Sequence, residues 1–131
     1  ITSGVCHRFP KLKFVPTEWE TGWVAHYLER LDHAAYRTPE VLSPDLDMLP
    51  SDYFHRQFYV TFEDDRVGLR TADFIGADNL VWGNDYPHHD SIWPQSQKIL
   101  DEAFLEVPED RRAEYRRKMT LDNVTKLYNL S

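Results

Sequence analysis

Cysteine occurs once, at Cys6. That excludes an internal disulfide and a Cys-rich zinc site, and makes a reducing, cytoplasmic setting the expected one. Glycine is sparse too, with five in 131 residues and no G-x-G pattern. This argues against a doubly wound domain with a phosphate-binding loop. No run approaches the roughly 18 apolar residues of a membrane helix, and the start carries no secretory signal pattern. Basic residues are outnumbered: 15 Lys and Arg against 22 Asp and Glu leave a net charge of -7. That balance argues against nucleic acid or an anionic membrane as the main partner. There is no initiator Met, and "ITSGVCHRFPKLKFV" reads as the tail of a helix falling into a strand. The chain is therefore expected to begin in the middle of a domain.

What is present suits one domain over residues 1–131. Apolar residues make up 41% and aromatics 14%, enough for a real core. Pro10 ends a short helix over Ile1 to Arg8. "LKFVPT" (Leu12 to Thr17) reads as a buried strand. "TGWVAHYLERLDHAAYR" reads as a helix capped by Thr21, with Trp23, Tyr27, Leu28, Leu31 and Ala35 as its apolar stripe. Pro39, Pro44 and Pro50 mark a loop, and "SDYFHRQ" a short helix with Ser51 as cap. "QFYVTF" (Gln57 to Phe62) is a strand. "EDDRVGLRTADFIGADN" is a helix capped by Asp64 or Asp65 and ended by Gly76. "NLVWG" (Asn79 to Gly83) is the third strand, and helices follow from Pro94. The last of these has Thr120 as cap and Leu121, Val124, Leu127 and Tyr128 as its inner face. Met48 and Met119 read as core filler.

Strands alternating with amphipathic helices imply right-handed βαβ units and a parallel sheet. Three strands are too few for a doubly wound domain. A barrel of eight units needs about 250 residues, so three units suit the trailing part of a barrel.

The chemistry concentrates in "LVWGNDYPHHDSIWP" (Leu80 to Pro94). Asp85 follows a strand, where barrels build active sites, yet Asp before Tyr-Pro is also a good Asx-turn former. His88 and His89 have two readings, a substrate or proton site in the mouth or a solvated loop. Adjacent side chains diverge, so the two do not share one metal; His88 is favoured for the pocket. Asp90 and Trp93 read as loop-shaping. Glu18 follows the first strand and is either an acid–base group or a helix-start carboxylate. Trp19 beside it suits the wall of a pocket for a planar substrate. "EDD" at 63–65 reads as a capping cluster, and "RRAEYRRK" at 111–118 as a solvated helix face.

"GNDYPHHDSIWP" resembles the G-S-D-Y-P-H-x-(D/E)-x-x-W-P signature of the amidohydrolase-2 family. That family is the aminocarboxymuconate-semialdehyde decarboxylase-like branch of the metal-dependent amidohydrolase superfamily. "RFPKLKFV", "ETGWVAHYLERLD" and "MTLDNVTKLYNL" resemble the family's sixth-strand entry, its following helix and its closing helix. The resemblance implies an α/β fold, the C-terminal part (last three βα units) of a TIM (β/α)8 barrel. It implies that Asp85 binds a divalent metal, Zn or Mn, and accepts a proton, that Glu18 is a second catalytic group, and that His88 lies in the motif. The family's first-strand His-x-His has no match here, its fifth-strand His would lie before Ile1, and His7 sits on the wrong kind of element. The expected activity is metal-dependent hydrolysis or non-oxidative decarboxylation of a small carboxylate-bearing substrate, with this segment alone inactive. The alternative is an inactive barrel fragment kept as a binding module. The expected partners are the remaining barrel strands or another chain, and a homo-oligomer is the expected state.

Overall fold

The computed structural model describes residues 1–130. After a one-turn helix α1 (Val5–Arg8) the chain runs extended through Phe14, then forms α2 (Val24–Arg37) and α3 (Pro50–Gln57). Strand β1 (Val60–Phe62) leads through two short helices, α4 (Arg66–Arg70) and α5 (Ala72–Ile75), to strand β2 (Leu80–Trp82). Helix α6 (Ser96–Ala103) and a long closing helix follow. The closing helix comprises α7 (Glu109–Arg117), a π-helical stretch (Lys118–Asp122) and α8 (Asn123–Tyr128).

β1 and β2 pair in parallel, with Val60 opposite Leu80 and Phe62 opposite Trp82. The expected strand over 12–17 is reduced to a single parallel bridge, Phe14 to Phe58. The ladder around it is real: Phe14 donates to the Gln57 carbonyl at 2.9 Å, Tyr59 to Phe14 at 2.9 Å, and Thr61 to Pro16 at 3.2 Å. The missing rung is the one that Pro16 would donate, and proline has no N–H. Three extended segments therefore lie side by side in chain order, with their C-terminal ends at one edge.

Val60, Phe62 and Leu80 face a core with Val24 and Leu28 of α2, Phe54, Leu69, Ile75, Leu100, Phe104 and Met119. Met119 is fully buried, as expected, and Met48 is half-buried. The α2 stripe is rotated from expectation. Val24 and Leu28 are buried, whereas Trp23 and Tyr27 are exposed and pack edge to face at 5.7 Å. Thr21 does not cap α2; its hydroxyl donates to Asp65 at 2.9 Å. α3 begins at Pro50 rather than after Ser51, because Pro fits a first helical position and Asp52 reaches back to the Leu49 N–H. Thr120 lies inside the closing helix, donating to the Arg116 carbonyl at 2.7 Å, so it is no cap. The π-helical stretch resets the buried face to Met119 and Asn123, leaving Leu121 and Tyr128 exposed. The 111–118 segment is solvated and ion-paired, with Arg111 on Asp73, Arg116 on Asp101 and Lys118 on Asp78.

The opposite ends of the strands are closed by three buried amides. Gln57 donates to the carbonyls of Phe9 and Leu12, Asn79 to those of His55 and Phe58, and Asn123 to those of Ala77 and Leu80. Each bond is 2.7–3.0 Å, and each amide satisfies two carbonyls where a strand begins.

Candidate active site at the strand ends

At the C-terminal edge an open cavity of about 610 Å³ is lined by Glu18, Glu20, Thr61, Glu63, Asp85, His88 and Asp90, among others. The parallel register explains the convergence: Phe62 and Trp82 end their strands side by side, so the residues that follow emerge at the same rim.

Asp85 sits in the left-handed region at φ 55°, a conformation that costs a non-glycine residue about 1–3 kcal/mol and clusters at functional sites. It is not the Asx-turn residue. That contact belongs to Asn84, whose side-chain oxygen accepts the Tyr86 N–H at 3.3 Å. The Asp85 carbonyl accepts the His88 N–H at 2.8 Å, and the resulting turn brings His88 Nδ1 to 2.9 Å from Asp85 Oδ2. Ser91 ties the loop together, donating to the Asn84 carbonyl at 2.5 Å and accepting from Trp93 N–H at 3.2 Å. Trp93 packs edge to face on Tyr86 at 5.9 Å, so it shapes the loop; Asp90 reaches the cavity.

Glu18 lines the cavity, and it too is left-handed, at φ 64°. His89 and Trp19 do not line it. His89 is exposed, with its ring 4.2 Å from that of His88. Trp19 is 74% exposed and borders a separate shallow groove with Pro16 and Trp23, because the left-handed residues on either side turn it away from the mouth.

Two further carboxylates line the cavity: Glu63, part of the expected capping cluster, and Glu20. Glu63 directly follows β1, level with Gly83 just after β2. Burial pushes its carboxyl up, the charges of Asp85, Asp90 and Glu20 add to this, and the Ile92 N–H opposes it. Its location directly after a strand is the same signal that singles out Asp85. Glu20, left-handed at φ 50°, is likewise raised, chiefly by burial of its carboxylate, against hydrogen bonds from the Glu63 and Asp64 N–H groups. Of the EDD cluster, Asp65 alone caps α4, accepting from Gly68 N–H at 2.8 Å.

A divalent ion needs about four or more donors. Among the described residues no group of three or more His, Cys, Asp or Glu side chains is placed to hold one. At the Asp85 loop, Asp85 and His88 bond each other. The described residues thus form no metal site by themselves, and a lone carboxylate such as Asp85 has the chemistry of one ligand only. No helix among the described residues is long and apolar enough to cross a membrane.

The family model described as amidohydrolase (Amidohydro_2) matches residues 1–130. The chain belongs to the amidohydrolase-2 family. Among solved structures, it is similar to 5-carboxyvanillate decarboxylase LigW from Sphingomonas paucimobilis, with a TM-score of 0.74 and 25% identity, over 99% of this chain and 37% of that one. An amidohydrolase from Mycobacterium avium subsp. paratuberculosis K-10 matches with a TM-score of 0.72 and 26% identity, over 95% of this chain and 30% of that one. A dihydroxybenzoic acid decarboxylase from Polaromonas sp. JS666, solved with manganese and 2-nitroresorcinol, shares the fold at a TM-score of 0.67 and 20% identity, over 98% of this chain and 37% of that one. A comparison with curated proteins returns no match. The family members matched are TIM barrels, and this chain spans about a third of their length.

Proposed function

We propose that this chain forms one wall of the mouth of a metal-dependent TIM-barrel enzyme, as its last three βα units. The enzyme acts on a small carboxylate-bearing molecule. Decarboxylation is favoured over hydrolysis because two of the similar structures are decarboxylases of small aromatic acids by name. The observation that carries the reading is Asp85: a strand-end carboxylate held left-handed, braced on one oxygen by His88, at the rim of an open cavity.

When bound, a divalent cation, Zn or Mn, would supply the positive charge that orients and polarises the substrate carboxylate. Asp85 would contribute one ligand, and the other ligands would come from outside the described residues. His88 fixes the Asp85 carboxylate through Oδ2, and so would orient it as a ligand. Glu18 lies at the same cavity and supplies the proton that replaces the departing CO2 on carbon.

The rest of the barrel completes the fold. The far edge of β2 pairs with no strand among the described residues. The chain exposes 8373 Å², against roughly 7,200 Å² for a compact monomer of this mass. We take the covering partner to be the remaining barrel strands, on the same or another polypeptide, with the completed barrel forming a homo-oligomer.

The test is Asp85→Asn in the assembled barrel. Metal content and turnover of a panel of small aromatic carboxylates are both expected to fall at least about 100-fold. Wild-type metal content and turnover in D85N would overturn the assignment.

A further inference from the structure

The loop after the first extended segment and the loop after β1 exchange carboxylates. Asp65 reaches across and accepts three hydrogen bonds on Oδ2: from Thr21 N–H at 2.6 Å, Thr21 Oγ1 at 2.9 Å and Gly22 N–H at 2.6 Å. Glu20 reaches the opposite way, accepting from Glu63 N–H at 3.2 Å and Asp64 N–H at 3.4 Å. The contact depends on two glycines. A Cβ on Gly68 would lie 2.0 Å from Thr21 Oγ1 and 2.5 Å from Asp65 Oδ2, and one on Gly22 would lie 2.9 Å from Val67. Each loop thus stops the other's free backbone N–H groups, and the two neighbouring loops carry Glu18 and Glu63 to the lining of one cavity.

We infer that Asp65 and Glu20 are positioning residues, a reciprocal clamp that fixes the spacing of Glu18 and Glu63 along the rim of the mouth. The inference rests on the reading of that mouth as an active site. Neither residue needs to touch substrate. Asp65 is the stronger arm, because it is buried and its bonds are shorter. Glu20 is the weaker, solvent-side arm.

The experiment compares wild type, Asp65→Asn, Glu20→Ala and Glu20→Gln in the assembled barrel, reading amide hydrogen exchange and steady-state kinetics together. E20A is expected to speed exchange of the Glu63 and Asp64 amides at least tenfold and to lower kcat with KM little changed. E20Q retains an acceptor oxygen and is expected to restore most of both. D65N is expected to do the same at the Thr21 and Gly22 amides, with the larger loss of kcat. If D65N does not fold, the E20A–E20Q pair still decides. Exchange unchanged in E20A overturns the clamp. Faster exchange with unchanged kcat overturns its positioning role. An E20Q variant as slow as E20A would make Glu20 a catalytic acid or base instead. A wild-type barrel without turnover sinks the functional reading alone, since the exchange rates still decide the clamp.

Discussion

The two ends of the strands are built from opposite materials. At the floor, Gln57, Asn79 and Asn123 are buried amides, neutral, each bonded to two carbonyls at 2.7–3.0 Å. At the mouth, Glu18, Glu20, Glu63, Asp85 and Asp90 surround open space, and three of them sit in the left-handed region. The floor satisfies every polar atom it buries, as a stabilising end should. The mouth gathers like charge and backbone strain, which a scaffold alone has no reason to keep.

The sharpest way to break that contrast is at the floor. Asn123→Ala leaves two carbonyls and a cavity without a partner. Denaturant unfolding of the assembled barrel is expected to show a loss of about 3 kcal/mol. A loss under about 1 kcal/mol would show that water replaces the amide and that the floor is not the stabilising end. At the mouth the sign should reverse. Glu18→Gly relieves a left-handed glutamate at φ 64°. It is expected to stabilise by about 0.5 kcal/mol while turnover falls. Destabilisation beyond about 1 kcal/mol would make Glu18 part of the scaffold.

The smallest effect is the response to acid. Asp73 is held below the ordinary 3.8 by the Tyr115 hydroxyl and Arg111, and Asp101 by Arg116 and Gln97. The stability they contribute is present above that value and is lost as pH falls through their lowered values. Glu20 and Glu63 run the other way. Burial raises both above 4.5, so the fold gains from protonating them; that gain is complete below 4.5 and lost as pH rises through their raised values. The thermal midpoint should therefore rise slightly from about pH 7 to pH 5 and drop below about 3.8, with solvent screening keeping the rise small. Glu63→Gln should flatten the upper part. A midpoint falling steadily from pH 7 would contradict this picture.

Much of this was legible in the residues. The strand end before Asp85 was legible as a short apolar run, and the resemblance of the loop to a family signature pointed to Asp85 and His88, which do line the cavity. The α2 helix was placed by its periodicity, but its buried row was not. Trp23 and Tyr27 share the spacing of Leu31 but lie exposed, a difference that periodicity does not encode. Pro16 erased a strand rung that composition alone still counts. The helix expected across 63–79 splits at Thr71, whose hydroxyl turns back to the Val67 carbonyl at 2.8 Å. Glu63, Asp64 and Asp65 are three adjacent acids, and only the fold separates the cavity residue from the cap. Glu20's reach to the neighbouring loop depends on a left-handed φ that glutamate rarely adopts.

Asp85 lines the open cavity, and its proposed role is to meet an ion there. A structure of the assembled barrel soaked with zinc tests it most directly. The account expects an Asp85 carboxylate oxygen within about 2.2 Å of the ion. An ion with a full ligand set and Asp85 pointing elsewhere would contradict it.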